Sequence, residues 1–426
     1  MNIKTIYQKF LTTNGVVTDS RKSAAGAMFV CIQGENFNGN TFAAEALLNG
    51  AAFVVVDDKN FYEENPRYIC VEDSILFLQQ LAMHHREYFT IPIICIGGSN
   101  GKTSTREITA KILESQFKTH STSQNLNNHI GVPLVLLSMP LDTEIAVIEI
   151  GANHMGEHKQ LLETVKPTHI YITNHGKDHI GEYGSYENAV HENLELYRYG
   201  IEHNCITYVL ENHPELINDY QEIKQQAHAV DHLEVIPLLN GRNDLYLSIE
   251  IDNELLPTHF FGDYMIENFS FAVWVAKFFG VSFLNIKNSV QSMVPVAMRG
   301  EVKTIAGSTV IFDCYNANPT SMKMAVDSFK KNATGKTMVI LGGMKELGKF
   351  SQTEHQEMID YVQKLSFDEI VFVGSEFESS KNIIEENIHY FETNSEAKEF
   401  FSKKNLKGFT VLLKGSRGTA LEKIFE

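Results

Sequence analysis

The sequence predicts an α/β protein of three domains: a small N-terminal domain, a central parallel-sheet domain with a phosphate-binding loop, and a C-terminal Rossmann-like domain. The chain has 426 residues, of which 43% are hydrophobic, and this is enough for two to three domains with full cores. Short apolar runs alternate with helical patterns over most of the chain, which is typical of a parallel sheet covered by helices. A glycine-rich turn joins one of these apolar runs to a helix.

The apolar runs fall into three blocks, which place the domains at residues 1–85, 86–297 and 298–426. In the first block we expect strands at Ala27–Ile32, Ala52–Val56 and Tyr68–Val71, and a helix at Phe42–Leu48. In the second block the expected strands after the glycine-rich turn are Ile145–Ile150, His169–Thr173 and Cys205–Leu210. In the third block they are Thr309–Asp313, Thr337–Leu341, Glu369–Val373 and Phe409–Leu413.

The glycine-rich turn has the features of a triphosphate-binding loop. Residues 91–105 read IPIICIGGSNGKTST, so an apolar strand leads through Gly98 and Gly101 into a helix. The glycines allow backbone N–H groups to face phosphate oxygens, Lys102 can neutralise the β- and γ-phosphates, and the Thr103 hydroxyl can bind Mg²⁺. The spacing is G-x-x-G-K-T because Ile96 stands where the common pattern needs glycine. A surface turn with an incidental lysine is the alternative, and the order strand, turn, helix disfavours it.

Polar residues follow the next strands, where an open α/β sheet places its ligands. Glu149 ends one strand and is a candidate Mg²⁺ ligand, although a carboxylate at a helix N-terminus would look the same. His179 follows the next strand and could bind a cation or only hydrogen-bond to backbone. The nearby His154 and His158 match an H-x-x-E-H zinc pattern, but Gly156 interrupts it, so we expect a solvated start of a helix instead.

The composition and charge of the chain argue against nucleic-acid-binding and membrane-spanning proteins. A formal charge of −17 argues against a nucleic-acid partner, and no apolar run is long enough to predict membrane insertion. The five cysteines are odd in number and lack metal-binding spacing, which favours buried free thiols in a reducing compartment. We therefore expect a cytoplasmic protein, and a monomer.

Seven strings, taken together and in order, resemble the Mur ligases. They are GGSNGKTST, QNLNNHIGVPLVLL, IEIGANHMGEH, ITNHGKDHIGEYGS, DCYNANPTSM, LGGMKELG and LLKGSRG, and the N-terminal TDSRK and MFVCIQGENFNGNTF strings also fit. The resemblance covers nearly the whole chain and is weakest between about residues 212 and 260. It implies the three-domain Mur ligase architecture and an enzyme that uses ATP and Mg²⁺ to convert a carboxylate into an acyl phosphate, which an amine then attacks. Within the family the strings are most similar to the branch whose substrates are a UDP-linked muramoyl tripeptide and D-alanyl-D-alanine, used in peptidoglycan synthesis.

The resemblance also implies roles for individual residues. Lys102 and His179, with the residue at position 193, would be catalytic, and Thr103, Glu149 and His179 would bind the metal. ATP would contact Gly98, Ser99, Asn100, Gly101, Lys102, Thr103, Ser104, Asn268, Asp313 and Asn316. The other substrates would contact Ser20, Arg21, Asn125, Asn127, Asn128, Lys414 and Arg417.

Three positions depart from the family pattern. Asn193 stands where the family has a carbamoylated lysine, Met265 replaces an asparagine of the adenine motif, and Gly343 replaces an aspartate. A neutral amide at position 193 is expected to weaken the binding of a second cation. These changes leave two alternatives: a diverged amide ligase that joins a different amine and carboxylate, and a non-catalytic nucleotide-binding relative. The intact Lys102 and Glu149 argue against the latter.

Overall fold

Each of the three predicted domains contains its own sheet. The computed structural model describes residues 2–22, 24–34, 36–383 and 385–426. In the first domain four parallel strands pair in the order β1-β2-β5-β6, and a short hairpin of β3 and β4 lies beside them. The elements are β1 (Val16–Val17), β2 (Met28–Val30), β3 (Gln33–Gly34), β4 (Phe37–Asn38), β5 (Phe53–Val56) and β6 (Tyr68–Cys70), with α1 (Ile3–Phe10), α2 (Ala43–Leu48) and α3 (Ser74–Arg86).

The central domain is built on six parallel strands in the order β12-β11-β10-β7-β9-β8. The strands are β7 (Ile93–Gly97), β8 (Thr119–Ser121), β9 (Ile145–Glu149), β10 (His169–Ile172), β11 (Ile206–Leu210) and β12 (Leu233–Ile236), and β13 (Gly241–Asp244), β14 (Tyr246–Ile251) and β15 (Glu254–Pro257) form a separate antiparallel sheet. The helices are α4 (Lys102–Leu113), α5 (Gly131–Leu137), α6 (Glu157–Val165), α7 (Ile180–Tyr183), α8 (Tyr186–Asn193), α9 (Glu195–Glu202), α10 (Pro214–Ala227), α11 (Met265–Phe278) and α12 (Phe283–Ser292). Strands β7, β9 and β10 are buried along their whole length, which explains their continuous apolar sequence.

The third domain has a six-stranded sheet in the order β16-β17-β21-β18-β19-β20. Its elements are β16 (Glu301–Ile305), β17 (Ser308–Asp313), β18 (Lys336–Gly342), β19 (Glu369–Val373), β20 (Ile388–Phe391) and β21 (Phe409–Lys414), with α13 (Pro319–Asn332), α14 (Ser351–Gln363) and α15 (Asn394–Lys403). The edge strand β16 is antiparallel to β17, and the other pairs are parallel. Helix α13 begins with a capping box, in which Asn318 and Ser321 satisfy each other's backbone N–H groups.

The first two domains share one hydrophobic core. Helix α3 packs on α1 of the first domain and on α5 and α6 of the central domain, so buried side chains of both domains form one continuous cluster. His85 of this helix is buried, with Nδ1 2.9 Å from the Tyr7 hydroxyl and Nε2 3.0 Å from the Met139 carbonyl. The buried guanidinium of Arg86 donates to the Val165 and Lys166 carbonyls at 2.8 and 2.7 Å. Side chains in this core therefore fix the first domain to the central one.

The third domain meets the central domain through polar, backbone and apolar contacts, and the central-domain residues Ile180 and Phe261 are buried in the hydrophobic core of the third domain. Lys177 Nζ lies 2.5 Å from Glu354 Oε1, and the Gly181 N–H donates to the Glu346 carbonyl at 3.0 Å. A Cβ added to Gly181 would lie 2.5 Å from the Gly348 nitrogen, so the two backbones are nearly in contact. Within the described residues, no helix is both long enough and apolar enough to span a bilayer.

Candidate active site

The phosphate loop connects β7 to α4 as the sequence predicts. Gly98 and Gly101 have φ values of +105° and +85°, which residues with a Cβ atom rarely adopt. A Cβ on Gly98 would also lie 2.8 Å from the Thr173 nitrogen, so the loop is packed tightly against the residues that follow β10. Lys102 Nζ donates to the Gly98 and Ser99 carbonyls at 2.6 and 2.9 Å. The first N–H groups of α4 and the ammonium of its first residue thus lie together at this end of the sheet.

The side-chain oxygens of Glu149 and Thr103 lie close together beside this loop, where they could bind a metal ion. The Thr103 hydroxyl donates to Glu149 Oε1 at 3.1 Å, and Asn127 Nδ2 donates to the same oxygen at 2.9 Å. The other oxygen, Oε2, is buried and receives no hydrogen bond, and its nearest cationic atom is the Arg106 Nε at 3.5 Å. Because β7 and β9 are neighbours in the sheet, the carboxyl end of β9 brings Glu149 to the phosphate loop.

The phosphate loop opens into a cleft of about 280 Å³ between the central and third domains. The third domain lines it with Asp313, Asn316 and Lys414, among others. Lys414 is buried, and its Nζ lies 2.9 Å from Asp313 Oδ2 and donates to the Asn316 carbonyl at 3.1 Å. The Tyr264 hydroxyl donates to the same Asp313 oxygen at 3.3 Å, and burial, reinforced by this carboxylate, raises the pKa of Tyr264. One cleft therefore carries groups from two domains.

His179 lies at the edge of this cleft among three carboxylates. Its Nδ1 is 2.8 Å from Glu182 Oε2 and 3.1 Å from Glu346 Oε2, and its Nε2 is 3.7 Å from Asp178 Oδ1. Asp178 also lies 3.7 Å from Lys102 Nζ, which places this group next to the phosphate loop. Burial, and the negative charges of Asp178 and Glu182, raise the pKa of the Glu346 carboxyl.

Asn193 is buried behind the phosphate loop and does not line the cleft. It is the last residue of α8, and its Nδ2 is 3.5 Å from Ser99 Oγ. The preceding Glu192 accepts hydrogen bonds from the Gly156 and His158 N–H groups, both at 2.7 Å, and so fixes the segment after Glu149. Burial raises the pKa of Glu192.

The expectation of a solvated helix start is wrong for His158. This residue is 2% exposed, and its Nδ1 lies 3.0 Å from the Glu192 carbonyl. His154 lies before α6 and is exposed, paired with Glu157 at 3.2 Å. The two histidines of the zinc pattern therefore lie in different environments, and the only cluster of metal-binding side chains found among the described residues is that of Asp178, His179 and Glu346.

The structure shows how two of the three departures are accommodated. A Cβ on Gly343 would lie 2.5 Å from Glu376 Oε2, so the carboxylate of Glu376, which pairs with Lys345, occupies the place of the expected aspartate side chain. Met265 lines the cleft, and its sulfur accepts a hydrogen bond from Asn268 Nδ2 at 3.2 Å. Asn268 is thereby held against the phosphate loop, with its Oδ1 3.0 Å from the Thr105 hydroxyl.

Most of the predicted site residues line the cleft, and the exceptions are Gly98, Asn128, Asn193, Arg417, Ser20 and Arg21. The residues in the cleft are Ser99, Asn100, Gly101, Lys102, Thr103, Ser104, Asn125, Asn127, Glu149, His179, Asn268, Asp313, Asn316 and Lys414. Asn128 lies outside it because its Oδ1 accepts from the Ile130 and Gly131 N–H groups at the start of α5. Arg417 is directed to Met298 Sδ at 3.0 Å and is also outside. Ser20 and Arg21 line a separate pocket of the first domain with Lys22.

Several residues of the cleft were not predicted as site residues, among them Asp178, Arg299, Tyr315 and Asn318. Asn318 joins the two domains, since its Nδ2 donates to Asn100 Oδ1 at 2.8 Å and to Asp178 Oδ1 at 3.3 Å. The Arg299 guanidinium lies 4.0 Å above the ring of Tyr315 in the same cleft. Asp178 and Asn318 stand inside strings that carry the family resemblance, so the sequence did contain a signal for them.

A phosphate loop on a parallel sheet, facing a Rossmann-like domain across a cleft, defines a class of nucleotide-dependent enzymes. Family models match the chain in all three domains. They are described as Mur ligase family, catalytic domain (residues 12–86), Mur ligase middle domain (residues 96–276), and Mur ligase, glutamate ligase domain (residues 298–417). The chain belongs to the Mur ligase family. Both the family and the three-domain α/β architecture predicted from the sequence are thus confirmed.

Individual relatives match over nearly their full length. The UDP-N-acetylmuramoyl-tripeptide–D-alanyl-D-alanine ligase of Bacillus subtilis is 31% identical over 425 residues, which cover 96% of this chain and 92% of the relative. The enzyme of the same name from Escherichia coli is 27% identical, with 97% and 93% covered. Among solved structures, MurF from Acinetobacter baumannii has a TM-score of 0.83 and 27% identity, with 96% of this chain and 92% of that chain covered.

Proposed function

We propose that this protein is the ligase that adds D-alanyl-D-alanine to a UDP-N-acetylmuramoyl tripeptide, using ATP and an acyl-phosphate intermediate. The single observation that carries the proposal is the cleft, in which Lys102, Thr103 and Glu149 of the central domain face Asn316 and Lys414 of the third domain. A phosphate loop that meets a second domain can place a nucleotide against another substrate. The names of the near full-length relatives supply the substrates.

The chain's own groups account for the phosphoryl-transfer step. Transfer from ATP to a carboxylate brings anions together, so positioning and neutralisation of charge should provide most of the catalysis. Lys102 and the N-terminus of α4 would stabilise charge on the γ-phosphoryl oxygens. Asn268 and Asn127 would hold neighbouring polar groups in place.

The residues beside the loop fit a magnesium ion. Thr103 Oγ1 and Glu149 Oε1 are hard oxygen donors 3.1 Å apart, and Glu149 Oε2 is buried without a hydrogen bond. A bound Mg²⁺ would neutralise phosphate charge at this position. His179, whose neighbour Asp178 lies 3.7 Å from Lys102 Nζ, would take part in holding a second ion.

The pocket of the first domain suits the UDP part of the substrate. Arg21 and Lys22 line it together with Phe29 and Phe42. A basic pair beside aromatic rings can bind a diphosphate and a base together. Asp19 pairs with Arg21 Nε at 2.9 Å and orients the guanidinium.

The proposal is tested by ATP-dependent phosphate release from the purified full chain. We expect release only when the UDP-muramoyl tripeptide and D-alanyl-D-alanine are both present, and mass spectrometry should find the pentapeptide product. Lys102→Ala is the inactive control, and Lys111→Ala, an exposed lysine later on the same helix, is the matched active control. Phosphate release that does not depend on D-alanyl-D-alanine would refute this substrate assignment.

The second candidate is a diverged amide ligase of the same family that joins a different amine and carboxylate. It is favoured by the departures at Asn193, Met265 and Gly343. Because Glu376 fills the place of the missing aspartate and Met265 still positions Asn268, two of these changes leave the cleft polar and ordered. A panel of amines and UDP-linked acceptors in the same assay distinguishes the two candidates.

A further inference from the structure

Asp178, His179 and Glu346 form a cluster across the junction of two domains. Each offers one metal-binding atom, and these atoms lie within 4.8 Å of one another. The first two residues precede α7 in the central domain, whereas Glu346 lies in the loop after β18 of the third domain. A carboxylate, an imidazole and a second carboxylate are a ligand set that divalent cations accept.

The carboxylates around His179 outnumber the protein cations beside them. Asp178, Glu182 and Glu346 all lie within 3.7 Å of the single imidazole of His179. The neighbouring Lys102 Nζ is 3.7 Å from Asp178 Oδ2 and donates instead to two carbonyls of its own loop. Asp178 is only 9% exposed, so solvent screens its charge poorly. A divalent cation would correct this imbalance.

The residues around Asn193 cannot supply the missing negative charge. The Asn193 amide is neutral and directed at Ser99 Oγ. Glu187 is exposed to solvent, Glu192 accepts from the Gly156 and His158 N–H groups, and Glu195 is paired with Arg198 at 2.7 Å. Carboxylate ligands for a cation held by His179 must therefore come from another part of the chain.

We propose that Asp178 and Glu346 are those ligands, so that a divalent cation is bound by Asp178, His179 and Glu346 and is shared between the central and third domains. The proposal rests on the proposed function for the role of the cation. In this proposal the carboxylate of Glu346, a residue of a different domain, supplies the negative charge that the neutral Asn193 amide lacks.

Sharing the cation makes its binding depend on domain closure. Glu346 reaches His179 only while its loop is docked, where its carbonyl accepts from the Gly181 N–H at 3.0 Å and Gly348 nearly touches Gly181. An ion bound only in the docked arrangement must favour that arrangement by the same free energy. The cation should therefore compact the protein in the absence of nucleotide.

The test uses Mn²⁺ alone with the full chain, followed by electron paramagnetic resonance. Nitrogen coupling in electron spin-echo modulation identifies the ion bound by His179, and it distinguishes this ion from one held by the oxygens of Thr103 and Glu149. For Glu346→Gln and for Asp178→Asn we expect at least a tenfold loss of affinity at the nitrogen-coupled site. Glu399→Gln, an exposed carboxylate of the same domain, is the matched control and should bind as the native chain does.

Small-angle scattering supplies the second measurement. Mn²⁺ should compact the native chain and Glu399→Gln, and it should leave Glu346→Gln unchanged, while circular dichroism verifies that each variant is folded. Native affinity in Glu346→Gln, or a native chain without a nitrogen-coupled ion, would overturn the proposal. Ligase activity of the native chain is measured separately. If the native chain is an active ligase and Glu346→Gln binds Mn²⁺ as tightly as it does, only this inference is refuted. If the native chain binds Mn²⁺ through Glu346 but is inactive as a ligase, only the proposed function is refuted.

Discussion

The buried imidazole of His158 should make the stability of the protein depend on pH. Its Nδ1 faces the Glu192 carbonyl at 3.0 Å, and its Nε2 is buried without a hydrogen-bond partner. Protonation would thus place a charge where nothing accepts its second N–H, and burial lowers the pKa of His158 from 6.5 to about 4. Between these values the unfolded chain binds more protons than the folded one, so the free energy of unfolding decreases as the pH falls.

The size of the effect follows from the two pKa values. For a group that titrates at 6.5 when unfolded and at about 4 when folded, lowering the pH from about 7.5 to about 5 removes about 2 kcal/mol of stability. The substitution His158→Asn removes the titrating ring and keeps a neutral donor near the Nδ1 position. Other groups also titrate in this range, including His169, so the informative quantity is the difference between native and variant.

Urea unfolding of both proteins at the two pH values measures that difference. The variant is expected to be less stable at either pH, because it leaves a cavity, but it should lose about 2 kcal/mol less than the native chain on acidification. His154→Asn, an exposed histidine of the same segment, should retain the native pH dependence. Identical pH dependence in the native chain and in His158→Asn would refute the reasoning.

Three further predictions concern the site. Lys102→Ala should lower phosphate release by about 10² to 10³ and leave the circular dichroism spectrum unchanged, because its ammonium acts on the phosphoryl group and not in a core; near-native release would contradict this. Gly181→Val should leave the third domain undocked in small-angle scattering, since its Cβ would meet the Gly348 nitrogen at 2.5 Å, whereas Gly184→Asn, where a Cβ meets nothing within 4 Å, should dock normally. Native activity should not respond to bicarbonate, because the Asn193 amide cannot be carbamoylated, and Asn193→Lys should become bicarbonate-dependent; a native response would show that another residue is carbamoylated.

The elements that could be predicted from the sequence are those whose signal is local. The strand from Ile93 to Gly97, the two glycines and the helix from Lys102 are consecutive, and each predicted strand is present to within two residues at either end. No strand was predicted between about residues 212 and 260, where the resemblance to the family is weakest, and this region contains the antiparallel sheet of β13, β14 and β15. Strand β14 does alternate, with Leu247, Ile249 and Ile251 buried, so its signal was present and was missed, whereas the polar β13 carries none.

The parts of the site that could not be predicted depend on which loops the fold brings together. Glu346 and His179 are far apart in sequence and meet only because the third domain docks on the central one. Asn193 could be aligned with the lysine of the family, but its contact with Ser99 depends on how α8 packs behind the loop. His158 was expected to be solvated, and its tertiary contact with the Glu192 carbonyl lies in a buried environment.

The shared core of the first two domains determines what can move independently. Helix α3 and Arg86 join these domains through a continuous cluster of buried side chains, while the third domain meets the central one through ion pairs, backbone contacts and the apolar contact of Ile180 and Phe261. We therefore expect the pocket of Arg21 and the phosphate loop of Lys102 to keep a constant separation. A long nucleotide-sugar substrate can span that distance before the third domain docks. We expect the remaining part of the chain to turn near Met298 and Gly300, whose φ angles are +63° and +78°.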